Sequence, residues 1–442
     1  MSRYSATLGT AILPFADLLV GQHMMARLRF LRQAQWWDPE RLEAERTRRL
    51  GELLAVAYRE VPFYRALYGQ LPAPADLGSL PVATKPALRA GYPQFTTRDT
   101  GKRFYESCTS GSTGANFCVR EDWETAGLHR ASYLLALEWS GWELGEPHLQ
   151  TGVTSPRGLL KQMKDWFFRC TYVSAFDLSD AALDHVLQIL DRRRIAHVRG
   201  YPQSLYYLAL RAIESGWNLP LRGVVTWGDT LHPHYREAIE RAFRAPVLDT
   251  YGIGEGMQIS SQCERRSLYH IHTLDVVVEC VDAEGRPVPP GKTGQLLVTR
   301  LHPGPMPLIR YRVGDLGVMS EGPCPCGRGF FVMKSILGRD TDVVVTPSGN
   351  RLIVHFFTGI LGQLPEIEGF QVTQERVDAI VVRVVPSFGF SKGTADRIVS
   401  LLREKGADLE IEVETVEEIP VAASGKRRFV VNRLASTDVG SF

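Results

Sequence analysis

Apolar runs alternate with helical patterns along the middle of this chain, and that alternation limits the fold more than any other feature. The segments AHVRGY (196–201) and GVVTWG (223–228) have the short, continuous apolar character of buried strands. Residues 202–215 and 232–243 carry apolar residues at helical spacing between and after them. Strands that alternate with helices form layered folds with at least partly parallel sheets. We therefore predict an α/β fold.

Two helices are predicted nearer the N-terminus. Residues 39–59 begin with an Asp-Pro pair and place Leu50, Leu53, Leu54 and Ala57 at helical spacing. The stretch VATKPALRAG (82–91) has Thr84 as a capping residue and Pro86 in the first turn, which is typical of a helix start.

The pattern changes towards the C-terminus, and the change predicts a second domain. Strands at 275–281 and 294–299 are joined by a turn-rich segment. After about residue 340 the pattern indicates strands 369–374 and 378–385, a helix at 392–406, a strand at 409–415 and a basic tail. A run of strands with one helix is typical of a small α+β domain. A chain of 442 residues also exceeds the usual size of a single core.

We accordingly divide the chain into a large multi-sheet N-terminal body, residues 1–338, and a small α+β C-terminal domain, residues 339–442. Within the body, residues 1–35 form an N-terminal segment whose apolar run, SATLGTAILPFADLLVG (5–21), is interrupted by Pro14 and Asp17. The run is short for a membrane span and is not followed by a small-residue cleavage site, so we expect an amphipathic segment that packs on the body. Attachment to a membrane surface is the less favoured alternative.

Charge and cysteine content exclude some classes of protein. Lysines and arginines number 51 against 49 acidic residues, a net charge of +2 that gives no support to nucleic acid as a partner. Seven cysteines in 442 residues are too few for a disulfide framework. We expect reduced thiols in a cytoplasmic protein, with a metal among them as an option.

The stretch SCTSGSTGAN (107–116) has the composition of a phosphate-binding loop. Gly111 and Gly114 let a ligand approach the backbone closely. Hydroxyl groups and exposed N–H groups can form an anion-binding concavity, and the hydroxyls here belong to Thr109, Ser110, Ser112 and Thr113. An ordinary surface loop is the alternative interpretation of the same composition.

Five further stretches follow this loop: TWGDTL (226–231), DTYGIGEG (249–256), PLIRYRVGDLG (307–317), ILGRDTD (336–342) and ASGKRRFVV (423–431). Each is weak alone. Together and in this order they resemble the core motifs of the adenylate-forming enzymes, which activate carboxylic acids with ATP. The resemblance is in particular to the phenylacetate–CoA ligase branch and its CapK-like relatives, and extends from about residue 45 to 433.

The resemblance implies a role for individual residues. Thr109 to Gly114 (Thr109, Ser110, Gly111, Ser112, Thr113, Gly114) would hold the β- and γ-phosphates of ATP. Tyr251 would lie against adenine, and Gly228, Asp229 and Gly252 would also belong to the nucleotide-binding site. Glu255 would bind Mg²⁺, a hard cation that prefers oxygen ligands. Asp315 would accept hydrogen bonds from both ribose hydroxyls, aided by Arg339. Lys426 would be the mobile catalytic lysine, moved by a hinge near Asp340 to Asp342.

The sequence departs from the family pattern at two of these positions. Gly254 replaces the hydroxyl residue that would contact the α-phosphate. Loss of one neutral hydrogen bond costs on the order of 1 kcal/mol, which is compatible with activity. Asp229 stands where relatives carry Glu, a chemically mild change.

Cys263, His270, Cys324 and Cys326 form a second group of interest. Three thiolates and one imidazole are a tetrahedral ligand set for structural zinc. His272 is the rival for the imidazole position, and the same four positions resemble a Cys/His/Cys-x-Cys set of CapK-like and phenylacetate ligase-like proteins. The alternative is that these are buried reduced cysteines beside a surface histidine.

The sequence thus predicts an adenylate-forming ligase that uses ATP and Mg²⁺ and contains structural Zn²⁺. A carboxylic acid and ATP would give acyl-AMP and pyrophosphate, and a nucleophile would then displace AMP. The nucleophile is CoA, the thiol of a carrier protein, or an amine. A non-catalytic relative that binds nucleotide within a biosynthetic complex is the rival from another class.

Overall fold

A computed structural model of the chain describes residues 4, 7–91, 94–97, 104–109, 117–152, 158–175, 177–339, 343–348, 351–362, 364–419 and 428–434. The chain divides into two units. Unit 1 comprises Met1–Leu231, Arg236–Val313 and Gly317–Ile336, and unit 2 comprises His232–Tyr235, Gly314–Leu316 and Leu337–Phe442. The division into independently folding parts at residue 338 stays a prediction.

Helices make up most of the N-terminal region. They are Leu13–Val20 (α1), preceded by a π-helical turn at Leu8–Ile12, then Met24–Ala34 (α2), Pro39–Glu60 (α3), Pro62–Tyr68 (α4) and Lys85–Gly91 (α5), with a 3-10 turn at Pro74–Ser79. The predicted helices at 39–59 and after Thr84 are both present. The Asp38 side chain caps α3 by accepting the Arg41 N–H at 2.7 Å, and Thr84 accepts the Ala87 N–H at 3.4 Å.

The later helices of this unit alternate with strands. They are Trp123–Trp139 (α6), Leu159–Phe167 (α7), Asp180–Arg192 (α8), Pro202–Glu214 (α9) and Pro233–Phe243 (α10). The last two correspond to the helices predicted at 202–215 and 232–243. Among the described residues, none of the helices has the length and apolar character needed to cross a membrane.

An 11-stranded sheet forms the centre of the large unit. Two strands precede this sheet in the sequence and pair only with each other: Phe104–Thr109 (β1) and Phe117–Asp122 (β2). The eleven strands of the sheet are His148–Gly152 (β3), Cys170–Ser174 (β4), His197–Gly200 (β5), Gly223–Thr226 (β6), Val247–Ile253 (β7), Met257–Gln262 (β8), Tyr269–Ile271 (β9), Val276–Val281 (β10), Thr293–Arg300 (β11), Tyr311–Met319 (β12) and Val332–Arg339 (β13). Their order is β10-β11-β12-β13-β9-β8-β7-β6-β5-β3-β4, and β1 pairs with β2 separately. Strands β3 to β7 are parallel, which confirms the predicted partly parallel α/β fold.

Unit 2 is built around a four-stranded sheet. Its elements are Val343–Val345 (β14), Arg351–Ile353 (β15), Val354–Leu361 (α11), Ile367–Arg376 (β16), Ala379–Pro386 (β17), Lys392–Glu404 (α12), Glu410–Thr415 (β18) and Val430–Asn432 (β19). The order β18-β17-β16-β19 confirms the predicted α+β domain. The expected basic tail differs, because residues 430–432 form a strand parallel to β16 in which Val430 is fully buried.

Each unit has its own apolar core. In unit 1, one cluster joins α3 and α4 to strands β10 to β12. A second cluster joins Leu8, Leu13 and α2 to Leu135 and Trp139 of α6, so the N-terminal segment packs on the body. In unit 2, the core is drawn from residues between Val344 and Val430.

Candidate active site and metal centre

The carboxyl ends of β5, β6 and β7 form the edge at which α/β sheets bind ligands. Trp227, Gly228 and Asp229 follow β6, and Tyr251 lies near the end of β7, where the next strand, β8, runs antiparallel. Gly228 has φ 78°, and a Cβ there would lie 2.8 Å from the ring of Tyr201. The turn that carries Asp229 therefore requires glycine. The exposed Asp229 and half-buried Tyr251 accordingly lie at the carboxyl ends of adjacent strands.

Asp249 anchors the strand that carries Tyr251. Its two carboxylate oxygens accept hydrogen bonds from Thr226 Oγ1 at 2.6 Å and from Tyr269 Oη at 2.8 Å. Burial raises the pKa of Asp249 to about 6, although both hydrogen bonds favour the ionised form. Two residues beyond, the pairing of β7 with β8 shifts register between Tyr251 and Gly252. The shift lies just before the end of β7 at Ile253, and the turn that contains Glu255 then leads into β8.

Glu255 is a buried carboxylate in the turn after β7, with 2% of its surface exposed. Tyr311 Oη donates to Glu255 Oε1 at 2.5 Å, and Lys85 Nζ lies 3.2 Å from the same oxygen. The adjacent Gly256 has φ 78°, and a Cβ there would overlap the carboxylate of Glu121. Carboxylate oxygen suits a hard cation such as Mg²⁺, and Lys85 already supplies one positive charge beside it.

Asp315 and Arg339 form an ion pair within unit 2. Asp315 is buried in β12, and its Oδ1 lies 3.2 Å from Nε of Arg339 at the end of β13. The Arg339 side chain is half exposed. A carboxylate oriented by a guanidinium is a strong acceptor for hydroxyl groups, so the pair has the chemistry that the sequence analysis expected of it.

The structure brings Cys263, His270, Cys324 and Cys326 together. Their ligand atoms all lie within 4.8 Å of one another. Cys263 Sγ is 3.7 Å from Cys324 Sγ, and Cys326 Sγ is 3.3 Å from His270 Nε2. Two thiolates on tetrahedral zinc would be about 3.8 Å apart, given Zn–S bonds of about 2.3 Å. His272, the rival, instead places Nε2 3.3 Å from Ser261 Oγ.

Sheet topology explains why these four residues meet. Cys263 directly follows β8, and His270 lies in β9, which pairs with β8. Cys324 and Cys326 lie in the turn between β12 and β13, and β13 pairs with β9, where Val332 faces His270. Strands that are neighbours in the sheet therefore deliver ligands that are far apart in sequence to one end of the sheet.

The electrostatics of this group fit a cation. Burial raises the pKa of the Cys263 thiol to about 12 and also raises that of Cys324. Burial acts to raise the pKa of Cys326 as well, but hydrogen bonds to its sulfur from the Arg328 backbone and side chain and from the two other thiols together lower that pKa. Burial lowers the pKa of His270 to about 4, so its imidazole is neutral near pH 7, the form that binds metal. A buried Zn²⁺ would supply the charge that stabilises thiolates here.

Several predicted residues lie outside the part of the chain that the structure describes. These are Ser110, Gly111, Ser112, Thr113, Gly114, Lys426 and the hinge at 340–342. Thr109 ends β1, and its backbone lies opposite Phe117 of β2. The paired strands therefore hold the beginning and end of the glycine- and hydroxyl-rich loop side by side.

The expectation of reduced thiols is wrong at one position. Cys118 is disulfide-bonded, and Cys108 lies directly opposite it in the pairing of β1 with β2. The remaining five cysteines are free: Cys170, Cys263, Cys280, Cys324 and Cys326. The hairpin register places Cys108 and Cys118 opposite each other. The number of cysteines does not reveal this strand pairing, so it could not predict a disulfide at Cys118.

Lys85 and Tyr311 are the site residues that the sequence analysis missed. Lys85 was interpreted only as part of a helix start, and Tyr311 only as part of the YRVGD stretch. A signal was available for Lys85, because a cation in the first turn of a helix is unfavourable next to the helix dipole. Its carboxylate partner lies 170 residues away in sequence, so the pairing itself could not be inferred.

Comparison with known proteins agrees with this geometry. Residues 344–433 match the CapK C-terminal domain family. The chain is 24% identical to protein CapK of Staphylococcus aureus over 392 residues, 85% of each chain. It is 28% identical to the phenylacetate–coenzyme A ligase of Thermus thermophilus over 330 residues, 69% of this chain and 72% of the relative.

Solved structures agree on the fold. The crystal structure of 2-hydroxyisobutyryl-CoA ligase in the postadenylation state, in complex with R3-HIB-AMP, superimposes with a TM-score of 0.73 at 20% identity and 91% coverage of both chains. The fold and the relatives together define an adenylate-forming ligase. Within that class, the chain is similar to phenylacetate–CoA ligases and to protein CapK.

Proposed function

We propose that the protein activates a carboxylic acid with ATP, forming acyl-AMP and pyrophosphate, and then transfers the acyl group to a thiol of CoA or of a carrier protein. The observation that carries the proposal is the buried Glu255, held by Lys85 and Tyr311 immediately after Tyr251 at the sheet edge. A buried carboxylate with a cation beside it is suited to organise phosphate and metal charge. The relatives that are CoA ligases support this chemistry.

In this proposal, the residues act on different parts of ATP. Tyr251, Gly252 and the turn of Gly228 and Asp229 contact adenine, while Asp315 and Arg339 bind the ribose hydroxyls. The loop from Thr109 to Gly114 holds the phosphates, and Glu255 holds Mg²⁺. When bound, Mg²⁺ neutralises phosphate charge.

Lys426 supplies a positive charge that bridges carboxylate and phosphate oxygens as the acyl-phosphate bond forms. In the first step, a carboxylate oxygen attacks the α-phosphorus and pyrophosphate leaves. In the second, the thiolate attacks the acyl carbon and AMP leaves. A charge delivered only during the reaction stabilises the transition state more than the ground state.

The acceptor and the zinc belong to the proposal as well. An amine is the alternative acceptor, which would make the protein an amide ligase, and a non-catalytic nucleotide-binding role is the alternative from another class. Zn²⁺ bound by Cys263, His270, Cys324 and Cys326 would be structural, because four protein ligands leave no open position for water. The use of ATP and the five free cysteines support a cytoplasmic location.

The test is a screen of carboxylic acids for ATP-dependent pyrophosphate release, followed by mass analysis with CoA and candidate amines. We expect release that depends on one class of acid. Lys426→Ala should remove most of this activity and leave the ATP dissociation constant unchanged. Arg428→Ala, two residues further along the same basic run, is the matched control and should retain activity. Pyrophosphate release at the wild-type rate by Lys426→Ala would contradict the role of the lysine, and nucleotide binding without release for any acid would favour the non-catalytic alternative.

A further inference from the structure

The outer face of the N-terminal segment is apolar and carries no charge. Ile12, Phe15 and Leu19 are 40, 64 and 72% exposed, and their spacing places them on one side of a helix. Between Tyr4 and His23 the sequence contains one acidic residue, Asp17, and no lysine or arginine. Asp17 is buried, where it accepts the Met25 N–H. Surface helices of soluble proteins normally carry charged residues on the outer face, so this face is unusual.

Helix α7 carries a second apolar stripe. Leu159, Met163 and Trp166 are 78, 66 and 81% exposed. Separations of four and three residues place them along one side of the helix. Lys161 and Lys164, also exposed, lie on other sides of the same helix. The helix is therefore amphipathic with its apolar side in solvent.

The two stripes belong to one region of unit 1. Tyr4 Oη donates to the carbonyl oxygen of Phe167, the last residue of α7, at 2.5 Å. The guanidinium of Arg169 lies 4.5 Å from the centroid of the Tyr4 ring. Phe167 and Phe168 also pack against the same core cluster as Leu8 and Leu13. We call the six exposed side chains the apolar surface: Ile12, Phe15, Leu19, Leu159, Met163 and Trp166.

We propose that the apolar surface binds an anionic phospholipid membrane. Single exposed apolar residues are ordinary, but six large ones on two linked helices mark an interaction site. Apolar side chains with tryptophan and nearby cations are the combination that places amphipathic helices in the headgroup region of a bilayer.

Charge selects the membrane over other occupants. The exposed cations on and directly after α7 are Lys161, Lys164 and Arg169. Asp165 is the one acidic residue between 158 and 175. In a symmetric dimer formed through this surface, the cations would face one another across the twofold axis, which is unfavourable. Anionic headgroups complement them, and each cation near the surface strengthens membrane binding about fivefold.

Vesicle flotation of the full-length protein tests the proposal. We expect it to float with vesicles of phosphatidylcholine and phosphatidylglycerol and to float less with phosphatidylcholine alone. Because each large apolar side chain contributes about ten- to a hundredfold to partitioning, Phe15→Gln combined with Leu19→Gln should abolish flotation. Phe388→Gln alters a side chain that is 100% exposed in unit 2, so it is the matched control and should float like the wild type.

Two further measurements separate the contributions. Lys161→Gln combined with Lys164→Gln should reduce flotation with anionic vesicles and weaken its salt dependence. The tryptophan emission should shift to shorter wavelength on vesicle binding, and Trp166→Phe should lose most of that shift. All of these variants should keep the wild-type rate of pyrophosphate release without vesicles, so that failure of the membrane proposal and failure of the proposed function are distinguishable.

Three outcomes would overturn the proposal. In the first, the wild type does not float with either kind of vesicle. In the second, the variant with both Phe15→Gln and Leu19→Gln floats to the same extent as the wild type. In the third, the protein without lipid would be a dimer in analytical ultracentrifugation that the same double substitution converts to a monomer. That result would assign the apolar surface to a second copy of the chain.

Discussion

The pairing of Lys85 with Glu255 shows how a buried carboxylate is kept in this site. Glu255 has almost no contact with solvent, and the ammonium group of Lys85 and the hydroxyl of Tyr311 both contact its Oε1. Removal of either partner leaves a buried charge with less compensation than before, which costs more than the intact pair contributes.

Lys85→Met is therefore expected to lower the free energy of unfolding by about 1–3 kcal/mol, because the buried carboxylate keeps the Tyr311 hydroxyl but loses the adjacent cation. In a protein that already carries Glu255→Gln, the same substitution should cost much less, because the charge that Lys85 compensates is gone. Urea unfolding of the wild type, both single variants and the double variant measures this coupling. Equal costs of Lys85→Met in the two backgrounds would show that the lysine acts independently of Glu255.

Asp249 gives a pH dependence whose sign follows from its burial. Its pKa is about 6 in the folded protein against an ordinary value of 3.8. Between those values the folded state binds the proton more tightly than the unfolded state. The contribution of this carboxyl group to stability is therefore fully present below about pH 4 and is lost as the pH rises through about 6.

Asp249→Asn should remove that dependence, because the amide does not titrate. The free energy of unfolding of the variant minus that of the wild type should rise by about 3 kcal/mol as the pH is raised from about 4 to about 7. Free energies of unfolding from denaturant titrations at the two pH values provide the measurement. Asp177→Asn, at an exposed aspartate, should leave the wild-type profile in place. A pH-independent difference between Asp249→Asn and the wild type would show that Asp249 titrates normally.

Residue chemistry could be predicted where short motifs resemble those of a known family. Asp315 and Arg339 were expected to cooperate, and they form an ion pair. The cooperation of Asp249 with Thr226 and Tyr269 could not be inferred, because it depends on the register of neighbouring strands. Local sequence shows which groups can carry charge, whereas burial and partners come from the assembled sheet.

Among the elements, the same distinction separates α3 from β19. The α3 sequence contains its own capping residue and apolar periodicity, so its bounds could be predicted closely. Strand β19 has three residues and follows a basic run. It is a strand because Val430 to Asn432 pair with Val372 to Gln374 of β16. The two paired segments are more than fifty residues apart in the sequence. Nothing in the local sequence identifies that partner.

The four candidate zinc ligands come from different elements of the large sheet, so loss of one ligand should weaken the connection between those elements. Cys324→Ser should lose zinc and lower the melting temperature of unit 1, because the ligands connect the end of β8 and strand β9 to the turn between β12 and β13. Cys280→Ser, at a free buried cysteine in β10, should keep the metal. Elemental analysis of protein purified without added metal should give about one zinc per wild-type chain, as expected for a single four-ligand site.

The two histidines separate the candidate ligand from its rival. His270→Gln should lose zinc, whereas His272→Gln should retain it, because only the His270 ring nitrogen lies close to the sulfur atoms. If His272→Gln lost zinc and His270→Gln retained it, the ligand would be His272 and not His270. A wild-type protein that is folded, active and free of zinc would identify the cysteines as ordinary buried thiols.

The described residues form two units with separate apolar cores, and this leads to a prediction about the core of unit 2. The core of unit 2 is drawn from residues 344–430, and residues 344–433 match a recognised domain family. A fragment of residues 337–442 should therefore fold alone and unfold cooperatively, which circular dichroism during thermal unfolding would measure. The same fragment with Val382→Asp, a fully buried position in β17, should be unfolded. A disordered wild-type fragment would show that this core depends on the rest of the chain.

Separate cores also mean that this protein should not have a single melting temperature. Each core loses its structure with its own enthalpy, so calorimetry should resolve two endotherms where a one-domain protein gives one. A ligand raises the temperature only of the part that binds it. Calorimetry with zinc chelators or with a candidate acid would therefore report which unit binds each of them, before any reaction product has been identified.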